Sequence, residues 1–114
     1  MAQRYHLTLA DPALARGSDP ALSFQAVSAD GLAAELEAAL RGDALFQAWR
    51  AQQEDPDAVD PGLGAVDPQA RVEGSQRHLK IDLVATTSIP GSVLRHRLRL
   101  LAGGGWALHD VTAA

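Results

Sequence analysis

The sequence holds no cysteine. That excludes a disulfide scaffold, thiolate nucleophiles and any zinc site built on cysteine. Aromatic residues are scarce too, with two Phe, two Trp and one Tyr among 114 residues. Stacking platforms of the kind that grip single-stranded nucleic acid therefore have few residues to draw on. Lys80 is the single lysine, and every other basic residue is an arginine. No stretch approaches the roughly 20 apolar residues that a membrane-spanning helix needs. Met1 to His6 has no apolar core of a signal peptide. A cytoplasmic chain is the expectation, and the heavy use of Ala and Arg points to a GC-rich, bacterial coding genome.

What is present suits one folded domain over 1–114. Hydrophobic residues make up 46% and charged residues 21%, near globular averages, and a chain of this length hides roughly two-thirds of its unfolded surface. The net charge of −4 is unevenly spread. Residues 1–70 carry four arginines against eleven carboxylates, whereas residues 71–114 carry six basic residues against three acidic ones. Such segregation marks either a partner surface or two halves that attract each other within the fold.

Alternation dominates the pattern. Tyr5, Leu7 and Leu9 alternate with His6 and Thr8, so Arg4 to Leu9 reads as a strand. Asp11-Pro12 and Asp19-Pro20 bracket a loop over 10–20, because the residue before proline is pushed out of the α region. Leu22, Phe24 and Ala26 alternate again, and 22–27 reads as a second strand. A helix then starts at Ser28 or Asp30, either of which can cap it. Leu32, Leu36 and Leu40 form its apolar stripe. Gly42 reads as a left-handed stop and Asp43 as the next N-cap, with a short helix to about Gln52; a single bent helix over 29–52 is the alternative. Residues 53–69 hold three Asp-Pro pairs and no periodicity, and read as a mobile acidic loop.

The third quarter carries the clearest alternation. Leu79, Ile81, Leu83 and Ala85 share one parity, and Leu94, Leu98 and Leu100 share another against Arg95, Arg97 and Arg99. Pro90-Gly91 between the runs is a turn signal, so 77–87 and 93–101 read as a hairpin. An edge strand around Ala70 to Glu73 precedes it. A last strand at 106–112 follows the Gly103-Gly104-Gly105 turn. The expected fold is α+β: five to six strands, mostly antiparallel, in the order β-β-α-(α)-β-β-β, with one or two helices covering one face.

Chemistry is thinly signposted. Arginine at every second strand position would set guanidinium groups about 7 Å apart along one face. Arg95, Arg97 and Arg99, extended by Lys80, His78 and His109, therefore form a candidate anion or nucleic-acid surface. The net acidic charge and the missing aromatics argue against nucleic acid. The same stripe also reads as a solvated face whose charge discourages edge-to-edge pairing. Across the triple-glycine turn, His96 would lie diagonal to Asp110, a base and its orienting partner in principle. No Ser, Cys or Glu falls in a motif that completes a catalytic set. Asp55, Asp57 and Asp60 fail the calcium-loop pattern, because Val59 and Asp60 occupy the fifth and sixth positions. No metal, cofactor or membrane contact is expected. The reading is a non-enzymatic domain acting through protein contacts, as a homodimer or an accessory subunit, with the arginine-face binding module as the alternative.

Overall fold

The computed structural model describes residues 2–114. Strand β1 spans Gln3–Leu9, helix α1 Ala29–Arg41 and helix α2 Ala44–Ala51. Two short 3-10 turns follow, at Pro56–Ala58 and Pro61–Gly64. Strands β2 (Arg71–Arg77) and β3 (Lys80–Thr87), helix α3 (Gly91–Ala102) and strand β4 (Ala107–Ala113) complete the chain. One antiparallel sheet has the order β2-β3-β1-β4. With α2 set aside, this is the βαββαβ connectivity of the split β-α-β type, in which β3 inserts between β1 and β2.

The fold is α+β with helices on one face, as read from the sequence, but with four strands and three helices. The largest correction is 93–101, which is helical. Leu94 and Leu98 are four residues apart, a spacing that satisfies a period of two and a helical turn equally. Val93, Leu94, Arg97, Leu98, Leu101 and Ala102 are the buried positions, which is a helical stripe. Pro90 precedes the first helical residue, and Gly103 ends the helix with φ of 62°. That positive φ belongs to glycine at low cost.

The second correction is 22–27, which joins no sheet: Leu22 and Ser23 close a turn on Asp19 O, and 24–27 run on without regular structure. Its amide groups are satisfied one by one. Phe24 N–H donates to Leu101 O, and the amides of Gln25 and Ala26 donate to the Glu35 carboxylate. Leu22 and Phe24 are still buried. The segment is a strap laid over the end of α3 and pinned by α1.

The third concerns the hairpin. The strand read as 77–87 is interrupted at His78-Leu79, and the two-residue turn there joins β2 to β3. No Gly, Pro, Asn or Asp announces it, and His78 takes a positive φ of 58°.

Helix α1 begins as expected, with the Ser28 hydroxyl accepting from Gly31 N–H. The break at Gly42 is real, although Gly42 is extended rather than left-handed and the Asp43 carboxylate caps no amide. It accepts from Gln47 Nε2 instead. The core lies between the sheet and the helices. Tyr5, Leu7, Leu9, Ile81, Leu83 and Ala85 meet Leu32, Leu36, Leu40, Leu94 and Leu98 in one buried cluster. Each fully buried leucine of this kind contributes about 1.5–3 kcal/mol. At Gly74 a Cβ would fall 2.4 Å from Ala29 O, so a side chain there would push β2 away from the start of α1.

Candidate interaction surface

The helices leave the other sheet face open, and the register lays out its polar rows. Thr112, Arg4, Thr86 and Arg71 form one row across the four strands, and Asp110, His6, Val84 and Glu73 the next. Beyond them a hydrogen-bonded chain crosses every strand. His109 Nε2 lies 2.7 Å from Thr8 Oγ1. Thr8 Oγ1 donates to Asp82 Oδ1 at 2.7 Å, and Arg77 Nε donates to Asp82 Oδ2 at 3.0 Å. Thr8 has one hydroxyl hydrogen and gives it to Asp82, so His109 must present Nε2–H and leave Nδ1 as its acceptor when neutral. Arg77, followed by Thr8, holds the Asp82 carboxyl below its usual range. Asp82 is thus a poor base, and the chain ties strands together without activating a nucleophile.

This chain borders a groove at one end of the sheet. The C-terminal end of β1, the β2–β3 turn and the start of β4 all lie there because neighbouring strands are antiparallel. A cavity of about 360 Å³ is lined by Thr8, Ala10, Leu14, Lys80, Trp106 and His109, among others. A second of about 410 Å³ continues from Ala10 and Lys80 to His78 and Leu79. Trp106 is held by its indole N–H, which donates to Gly103 O at 3.0 Å. Two rim residues stand out into solvent: Leu14 is 75% exposed and Leu79 is 81% exposed. Asp11, also at the groove, is occupied in accepting from the Ala13 amide. Among the described residues Lys80 makes no ion pair.

The arginines read as one stripe separate completely. Arg95 and Arg99 are exposed on α3, while Arg97 is 0% exposed. Its guanidinium donates to Ala39 O at 3.1 Å, to Leu63 O at 3.2 Å and to Ala65 O. Arg97 therefore binds the end of α1 to the Asp-Pro-rich segment. Burial lowers its pKa, and the charge of Asp43 acts in the opposite sense. Asp67, in the same segment, accepts from the Ser88 amide and the Thr87 hydroxyl, which hold its carboxyl below the usual range.

His96 and Asp110 are not brought together. His96 packs edge-on against Trp49 of α2, with ring centroids 4.4 Å apart, and its Nδ1 is buried without a partner. Burial, then the charges of Arg97 and Arg99, lower its pKa. Asp110 belongs to β4, opposite His6, and its carboxylate accepts from the amide of Val111. Of the predicted basic residues, Lys80, His78 and His109 do reach the groove, joined by Leu14, Leu79 and Trp106, for which the sequence assigns no surface role. Leu79 had been counted as a core position, and nothing in the pattern around Leu14 or Trp106 marks them.

No cluster of three or more His, Asp or Glu side chains among the described residues could hold a metal ion. No described helix is long and apolar enough to cross a membrane. No family model matches the sequence, and no curated protein or solved structure matches it either.

Proposed function

We propose that this domain is a protein-interaction module whose docking surface is the groove at the β2–β3 turn. The observation that carries the reading is the pair Leu14 and Leu79, large apolar side chains more than 70% exposed, one lining each of two adjoining cavities that share Ala10 and Lys80. Isolated exposed leucines need no explanation, but a contiguous apolar patch with a polar rim is the usual form of a contact site. A small ligand seated in either cavity would reach only one of the two leucines. A polypeptide laid along the trough would cover them.

Charge selects the partner. Lys80 is unpaired, His78 and His109 flank the trough, and Asp11 and Asp82 are already engaged by hydrogen bonds. The complementary segment carries apolar side chains with one or more carboxylates nearby. His78 supports this reading as well. A non-glycine residue at positive φ costs about 1–2 kcal/mol, and such strain concentrates where a side chain must be presented. Here the presented residue is Leu79.

Selection from a random peptide library displayed on phage tests the proposal. The expected result is enrichment of peptides combining Leu- or Phe-like residues with Asp or Glu, whose binding perturbs Trp106 fluorescence in a Trp49→Phe background. Leu14→Asp and Leu79→Asp should each weaken those peptides about tenfold or more, without lowering the melting temperature, since both side chains are exposed. Failure to enrich, or peptides that bind both variants unchanged, would refute it.

A further inference from the structure

We propose a second, chemically distinct site at the other end of the open sheet face: an oxyanion pocket formed by Arg4, Thr86 and Arg71 that takes a phosphate monoester. The register pairs Thr86 with Arg4 on one side and with Arg71 on the other, so the three side chains share one row of one face. Adjacent strands lie about 4.8 Å apart, which sets the two arginines about 10 Å apart with the threonine hydroxyl between them. A cavity of about 200 Å³ opens over that row, lined by these three residues with Glu73 and Val84.

Nothing in the fold uses these donors. Among the described residues, neither arginine forms an ion pair. Nor, among the described residues, does a side-chain hydrogen bond join Arg4, Arg71 or Thr86 to another group, although Asp82, Thr8 and His109 on the same face are engaged. Two guanidinium forks and a hydroxyl are thus directed over one cavity without a counter-charge in contact. Planar forks of this kind recognise tetrahedral oxyanions through paired hydrogen bonds. A dianion gains from both cations at once, whereas a carboxylate or a diester carries half that charge. Glu73 opposes the anion, which places its side chain as a tuning element rather than a ligand.

The site differs from the arginine face expected from the sequence, because Arg95 and Arg99 lie on α3 and Arg97 is inside the molecule. It is also independent of the groove. Arg4 and Thr8 are four residues apart along β1, about 13 Å.

The test is a titration of the whole chain with inorganic phosphate and with methyl phosphate at constant ionic strength, followed by amide chemical shifts in NMR. The expected result is saturable shifts at Arg71 and Thr86. Arg4→Ala or Arg71→Ala should weaken binding about tenfold and the lysine replacements about threefold, because lysine keeps charge but loses the fork. Glu73→Gln should tighten binding about threefold by removing a like charge. The pair Arg95→Ala/Arg99→Ala, and the groove variants Leu14→Asp and Leu79→Asp, should leave it unchanged. Shifts that never saturate, or that persist unaltered in Arg4→Ala and Arg71→Ala, would overturn the site. Methyl phosphate failing to compete with inorganic phosphate would overturn the monoester assignment.

Discussion

Arg97 shows how much one side chain can organise. In the linear pattern it is the middle of three alternating arginines. In the fold it is wholly buried, and its guanidinium serves three backbone carbonyls from two separate segments. The Ala39 carbonyl left without its donor would be a buried unsatisfied acceptor, costing about 1–3 kcal/mol, and the half-buried carbonyls of Leu63 and Ala65 would add to that. Arg97→Met fills much of the same volume but supplies no donor. Denaturant unfolding should show a loss of about 3 kcal/mol or more. Hydrogen exchange should show residues 61–67 losing protection before α1 and the sheet. A loss confined to less than 1 kcal/mol would mean that the carbonyls find water. The reversal of Arg97 from surface to core was not legible locally. Arginine is almost always exposed, and only the packing of α3 against the turn at Pro61–Gly64 reveals its partners.

At the scale of elements, the strap over 22–27 is pinned to α1 by a single carboxylate. Glu35 accepts from Gln25 N–H at 2.9 Å and from Ala26 N–H at 2.8 Å. Hydrogen bonds to charged groups are worth about 1.5–3 kcal/mol. Glu35→Ala should therefore lower stability by about 2 kcal/mol and release the Gln25 and Ala26 amides to rapid exchange, while Phe24 keeps its bond to Leu101 O. Retained protection at both amides would refute this account. The same stretch explains why strand and strap look alike beforehand. Leu22 and Phe24 are buried as the alternation says, but Ser23 between them is buried too, because 22–23 turn rather than run along a sheet edge; only a partner edge makes a strand. Helix α1 was legible because Leu32, Leu36 and Leu40 repeat every fourth residue with a capping serine in front. Strand β1 was legible from alternation, and β4 from the triple-glycine turn before it. Helix α3 was not, since Leu94 and Leu98 fit both periods and Arg-Leu sequences form helices readily. The groove was legible only through Lys80, His78 and His109; the exposure of Leu79 needed the β2–β3 turn, which the sequence does not mark.

For the molecule as a whole, the shifted groups set the pH response. His96 has a folded pKa below its ordinary 6.5, because burial and two neighbouring arginines oppose its charge. An unfolded chain binds that proton more readily, so the imidazole contributes stability above about pH 6.5 that is lost as pH falls toward the lowered value. Asp67 and Asp82 also sit below their ordinary 3.8, and their contribution is present above that pH and disappears in a second, more acidic window. Melting temperatures from pH 8 to 3 should decline in two stages. His96→Leu should remove the first stage and leave the second. A His96→Leu profile parallel to the parent between pH 7 and 5 would contradict the assignment.

The neighbours of β1 also govern how the chain can assemble. Gln3–Leu9 pairs with Lys80–Thr87 on one edge and with Ala107–Ala113 on the other. At the usual pace of synthesis, about 5–20 residues per second, the first strand to leave the ribosome waits several seconds for either partner. Its final edge is closed only by the last strand. The β2–β3 hairpin, joined by two residues, is the most local pairing in the sheet, but a two-stranded hairpin is marginal by itself and needs β1 beside it. Pairings of such long sequence separation slow folding. A nascent chain stalled before Ala107 lacks the strand that covers the outer edge of β1 and leaves its amide and carbonyl groups there to water.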